Sequence, residues 1–172
     1  MEQRPTSRSC GPCNACCKPF IVPEVEKLDG NWCKHCTIGK GCNIYANRPY
    51  ACRAFACIWL NGKGAEGDRP DRLGVFFDVE DSAIGKRAVG ILHVYEIEEG
   101  ATDHPRVQQI LEVNLDGGFI VFGHLVEGDT YNTRIRMRKE LFTEEETRVF
   151  TESYDKVRQS RRSKVLDPGG GN

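Results

Sequence analysis

All nine cysteines of this chain lie between residues 10 and 57, and none follows in the rest of its 172 residues. They are Cys10, Cys13, Cys16, Cys17, Cys33, Cys36, Cys42, Cys52 and Cys57. A packed core draws its cysteines from the whole length of a chain. A gradient this steep points instead to a sulfur-lined site, or two, built from one segment. Gly, Pro and Asn fill the intervals with little periodicity, which is how loops wrapped around a metal read. The sequence therefore predicts a metal-binding module over residues 10–60.

Bulk properties narrow the alternatives. The chain is long enough for one domain with a real core, or for a small stapled module packed on a core domain. No apolar run approaches the length of a bilayer span. No apolar stretch precedes Cys10, so a secretory signal is not expected and a cytoplasmic location is. Disulfide-rich scaffolds belong to secreted chains, and an odd count leaves one cysteine without a partner. Residues 1–57 hold eight Lys/Arg against four Asp/Glu. Eight thiolates around two divalent ions would carry roughly −4, so this excess of cations needs no nucleic acid to explain it.

The spacing refines the expectation. Cys10-x2-Cys13-x2-Cys16 repeats a step that lets two sulfurs reach one metal while backbone N–H groups point at them. The same spacing holds 4Fe–4S clusters, with a fourth ligand from elsewhere. Cys33-x2-Cys36 is a second knuckle. Adjacent Cys16 and Cys17 are expected to diverge and to serve two sites. One division is Cys10, Cys13 and Cys16 with Cys52 or Cys57, and Cys17 with Cys33, Cys36 and Cys42. Nine thiols exceed two tetrathiolate sites by one, and His35 is a further candidate ligand or an exposed loop imidazole. Zinc and iron–sulfur both accept thiolates, so the donors leave zinc or iron open. Zinc as a pure folding staple for residues 10–60 stays an alternative to a redox or catalytic centre.

Two stretches carry a family resemblance. Cys10-Gly-Pro-Cys13-Asn-Ala-Cys16-Cys17 and Cys42-Asn-Ile-Tyr45-Ala-Asn-Arg48-Pro49-Tyr-Ala-Cys52-Arg53-Ala-Phe55 resemble the CxxCxxCC family of YkgJ-type cysteine-cluster proteins. The resemblance implies a bacterial cytoplasmic protein that chelates zinc or iron. A similar cluster accompanies flagellin lysine methylase proteins, which implies a modification or redox role, although no methyl-donor site is visible in this chain. Within these stretches Arg48 and Arg53 flank Cys52 and are expected to donate hydrogen bonds toward thiolates, with surface ion pairing the alternative. Tyr45, Phe55 and Trp59 are expected to pack over the site.

The remainder reads as α+β: the cysteine-rich module packed on a small antiparallel sheet with two helices. Residues 1–9 and 165–172 read as disordered, and Gly-rich 61–72 as a linker loop. The 73–164 region opens with strands over 73–79 and 88–97, separated by a turn at 80–86. A helix capped by Asp103 follows, with Pro105 in its first turn, apolar positions at Val107, Ile110 and Leu111, and an end at Gly117-Gly118. Strands at 119–122 and 130–137 come next. A last helix starts at Thr143, where Glu146 completes a capping box, and runs to about Lys164.

Other signals are weaker. Gly62-Lys-Gly64-Ala-Glu-Gly67 spells a dinucleotide fingerprint, yet no strand–helix context surrounds it. Arg134, Arg136 and Arg138 share one face of a strand. With Arg158, Arg161, Arg162 and Lys164 they form the one candidate basic patch for nucleic acid or an acidic protein partner, against the plainer reading of a solvated face. His93, His104 and His124 show no ligand spacing and read as structural or exposed. A metalloenzyme and a zinc-stapled interaction module thus remain alternatives to a metal-binding protein.

Overall fold

The computed structural model describes residues 8–127 and 130–154. Its centre is a four-stranded sheet of β3 (Val75–Ile84), β4 (Arg87–Glu96), β5 (Ile120–Glu127) and β6 (Thr130–Arg136), in that spatial order. Two short strands, β1 (Cys36–Thr37) and β2 (Gly41–Cys42), form a separate ribbon in the cysteine region. The helices are α1 (Tyr50–Ala54), α2 (Pro70–Leu73), α3 (Pro105–Asp116) and α4, described over 144–154.

The α+β class stands, but the sheet is mixed rather than antiparallel. β3–β4 and β5–β6 pair antiparallel, whereas β4 and β5 run parallel. The cause is α3, whose twelve residues carry the chain back so that β5 starts at the same end of the sheet as β4. The expected turn over 80–86 is also much shorter. Pairing continues to Ile84↔Arg87, and only Gly85 (φ +60°) and Lys86 turn. Glu80, Asp81 and Ser82 read as turn residues only because this stretch of the strand is not buried on both faces.

Strand periodicity sorts the core into layers. On one face Val75, Phe77, Leu92, Val94 and Val121 meet Val107, Leu111 and Leu115 of α3. The opposite face is covered at its two ends. At one end Phe76 and Ile97 meet Ala15, Phe20 and Phe55 of the cysteine region. At the other, Ile84, Val89 and Ile120 meet Phe142, Val149 and Phe150. The cysteine region also joins the edge of the sheet, where the Ile58 N–H donates to the Phe77 carbonyl at 3.2 Å.

Capping follows the sequence only in part. α4 carries the expected box: Thr143 N–H donates to Glu146 Oε2 at 2.8 Å, and Glu146 N–H to Thr143 Oγ1 at 3.1 Å. α3 is capped by His104, not Asp103, with Nδ1 accepting from Arg106 N–H at 3.1 Å. Asp103 sits in the preceding 3-10 turn, Ala101–Asp103, which shifts the helix start by one residue. The 61–72 stretch carries a 3-10 turn, Glu66–Asp68, and α2. Buried Asp68 holds it in place, accepting from Ala65 N–H and from Nε and Nη2 of Arg106, each at 2.8 Å. Arg8, expected in a disordered terminus, donates to the carbonyls of Trp59, Lys63 and Gly64. Residues 1–7 and 155–172, including the expected tail and the end of the last helix, lie outside the described residues.

Two of the three arginines of the basic stripe are spent on α3. Arg136 pairs with Glu112, and Arg138 with Glu112 and Asp116. The other members of that patch, Arg158, Arg161, Arg162 and Lys164, fall outside the described residues. No helix among the described residues is long and apolar enough to cross a membrane.

Glu96 is the polar keystone where β4 ends. It is 2% exposed, and its carboxylate accepts from Thr102 N–H (3.0 Å), Thr102 Oγ1 (2.6 Å) and Val126 N–H (3.0 Å). Glu96→Ala strands the buried Val126 N–H and the half-buried Thr102 N–H and is expected to lower the unfolding free energy by about 2–4 kcal/mol, read by chemical denaturation. A change below about 0.5 kcal/mol would contradict the burial argument.

Candidate metal centre

Short turns, not long elements, bring the thiols together. Cys13 N–H donates to Cys10 carbonyl (2.9 Å), Cys17 N–H to Asn14 carbonyl (2.8 Å), and Cys36 N–H to Cys33 carbonyl (3.0 Å). The β1–β2 ribbon places Cys36 opposite Cys42. α1 delivers Cys52, its entry turned by Arg48-Pro49. Two contacts lock the loops to each other. Cys33 N–H donates to the Cys17 carbonyl at 3.0 Å, and buried Asn14 reaches Thr37 carbonyl through Nδ2, also at 3.0 Å. Gly41 (φ +112°) is required at the junction, because a Cβ there would stand 3.0 Å from the Gly11 carbonyl oxygen.

All nine cysteines are free. Cys10, Cys13, Cys16, Cys17, Cys33, Cys42 and Cys52 line one cavity of about 310 Å³, together with Phe20, Ile21, Val22, Val25, Ile44 and Phe55. Cys36 and Cys57 are not among the residues that line it. Mutual electrostatics sort the set into two groups. Cys36 and Cys52 are each raised in part by the charges of Cys17, Cys33 and Cys42. Cys10 and Cys13 instead act on Cys57 or are acted on by it. Cys52 therefore joins the second knuckle, and Cys57 joins the opening run. Cys16 and Cys17, expected to diverge, both line this cavity, and Cys16 is the largest electrostatic influence on Cys17.

Five of the thiols, Cys13, Cys17, Cys36, Cys52 and Cys57, are shifted toward the protonated form. The interaction with the Cys16 sulfur, toward which the Cys17 thiol would donate, and then burial push Cys17 far above the usual thiol range. Burial raises Cys13 and Cys36 to about 11 each, and Cys52 and Cys57 shift the same way for the same reason. Among the described residues, no group of three or more Cys, His, Asp or Glu side chains converges to hold a metal ion. The donor set suits a soft cation in kind and number, while its side chains border a cavity rather than closing on a point.

The loop residues divide unevenly around this cavity. Arg48 lines it, stacked 3.7 Å above the Tyr45 ring, and its Nε is buried with no hydrogen-bond partner among the described residues. The charge of Cys10 is the largest cause of the upward shift of the Tyr45 hydroxyl. Arg53 is exposed and does not line the cavity. Trp59 does not cover the site either. Its indole donates to Ala65 carbonyl at 3.2 Å and stacks under Arg8, which anchors the 61–68 stretch. His35 meets Cys33 through its backbone N–H (3.5 Å to Sγ).

One functional candidate has no signal in the sequence. Lys27 is 5% exposed, and its ammonium donates to the carbonyls of Lys18 (2.8 Å), Phe20 and Leu28 (2.9 Å). Left-handed Glu26 (φ +54°) and the Val22–Lys27 bridge turn the side chain inward. Burial pulls the ammonium below its ordinary pKa, while the charges of Cys33, Cys17 and Cys52 oppose that shift. A buried cation thus sits among the larger thiol group, where it would offset thiolate charge. In the sequence it is one lysine among several in a polar loop.

The chain matches no protein-family model, no curated protein and no solved structure.

Proposed function

We propose that residues 10–57 form a thiolate centre that takes zinc or iron, an iron–sulfur cluster included, in a reducing cytoplasm. The observation that carries this reading is the lining of one cavity by seven free thiols. Lys27 supplies fixed positive charge beside them, and Arg48 brings an unpaired buried N–H to the same wall. The larger group, Cys17, Cys33, Cys36, Cys42 and Cys52, supplies the principal ligands. Loading requires these side chains to rotate into the cavity and lose their protons. Cys10 and Cys13, which border the cavity, form a lesser group with Cys57, and Cys16 borders it beside Cys17. The metal supplies folding free energy to a segment whose regular elements are very short, and iron would add one-electron chemistry. A docking role for the basic stripe loses support from the ion pairs of Arg136 and Arg138 with α3.

The test is metal content per chain after anaerobic purification. Cys33→Ser is expected to lose most of the bound metal, Cys57→Ser a smaller share, and exposed Arg53→Ala none. Equal metal content in Cys33→Ser and the parent protein would contradict the assignment.

A further inference from the structure

The histidines that the sequence leaves scattered form a chain across the sheet face opposite α3. His93 on β4 and His124 on β5 stack with ring centroids 5.3 Å apart and Nδ1···Nε2 at 3.0 Å. His93 Nε2 meets Glu80 Oε2 on β3 at 3.2 Å, and His124 Nδ1 meets Thr133 Oγ1 on β6 at 3.1 Å. An ionised Glu80 accepts only, so His93 donates from Nε2 and its Nδ1 accepts from His124 Nε2–H. The His124 Nδ1 then accepts from the Thr133 hydroxyl. Both nitrogens of both rings are engaged within the chain, so it offers no open ligand atom of its own.

This chain floors a cavity of about 620 Å³, a size suited to a small molecule. Its walls are aromatic and acidic: Tyr95, Phe122, Phe150 and Tyr154, with Asp78 and Glu80. No Lys or Arg is among the described residues that line it. Asp78 is half-buried, and it makes no ion pair with Lys or Arg among the described residues. Its carboxylate accepts from the neighbouring Val79 N–H at 3.0 Å. Burial, and to a lesser degree the Glu80 charge, raise its pKa, opposed first by the hydrogen bond from Val79 N–H. Among the described residues a carboxylate in that position has no Lys or Arg to neutralise it, and aromatic rings line the same cavity.

We propose that this groove binds a small organic cation, a protonated amine on an aromatic or aliphatic body. The carboxylates of Asp78 and Glu80 take the ammonium, and Phe122, Phe150 and Tyr154 enclose the body. The imidazole chain fixes Glu80 in place from below. The cavity is separate from the cysteine-lined one, so the inference does not rest on metal binding.

The test is calorimetric titration of the full chain with phenethylammonium and with its anionic counterpart, 3-phenylpropionate. The ammonium is expected to bind and the anion not, and the ring signals of His93 and His124 should move in nuclear magnetic resonance spectra only with the former. Asp78→Asn should weaken binding by on the order of tenfold. Glu80→Gln, at a side chain 62% exposed, should weaken it while keeping the fold, so a misfolded Asp78 variant would not leave the matter open. Absence of ammonium binding up to about 10 mM would overturn the proposal. So would equal affinity for the anion, or unchanged affinity in Glu80→Gln.

Discussion

Lys27→Met is expected to lower the unfolding free energy by about 2–4 kcal/mol and to speed amide exchange selectively across residues 15–30. The side chain satisfies three carbonyls in a part of the chain with no sheet or long helix to pair them. Methionine fills much of the same volume but donates nothing, so the carbonyls of Lys18, Phe20 and Leu28 lose their partner together. Where thiolates are metal-bound, the variant also removes the cation that faces Cys17, Cys33 and Cys52. Denaturation and hydrogen exchange on metal-stripped protein isolate the hydrogen-bond loss. A variant as stable as the parent, with unchanged exchange over residues 15–30, would show that Lys27 fills space and nothing more.

Phe76→Ala should cost about 3–5 kcal/mol, a large share of the roughly 5–15 kcal/mol typical of a domain. Phe76 is 1% exposed and stacks on Tyr95 at 4.7 Å between centroids, with Phe20 at 5.5 Å and Phe55 at 5.8 Å. Phe20 and Phe55 also line the thiol cavity, so this cluster is the joint between the cysteine region and the sheet. Its loss leaves a cavity on the sheet side and frees the cysteine loops to shift. Equilibrium denaturation gives the cost directly, and a value below about 1 kcal/mol would mean that the joint lies elsewhere.

What could be read from the residues alone follows from range. The order strand, strand, helix, strand, strand, helix was legible because alternation and capping act over a few residues, as Thr143 and Glu146 illustrate. The parallel pairing of β4 and β5 was not, since it depends on where α3 returns the chain. The same pairing hides the histidine chain, whose two rings are 31 residues apart and meet only through strand register. The clustering of thiols was legible from the cysteine gradient. Their grouping was not, because Cys52 and Cys57 lie close in sequence yet α1 sends them to opposite groups. Lys27 was invisible for a different reason. A lysine in a polar loop reads as solvated, and only the left-handed turn at Glu26 and the bridge Val22–Lys27 bury it.

The most direct test of the thiolate centre is elemental analysis with a visible absorption spectrum on protein purified without oxygen. The account predicts zinc or iron at one equivalent or more per chain, with Cys33→Ser depleted of it. Protein that holds no metal under reducing conditions, and takes up neither zinc nor iron on reconstitution, would contradict it.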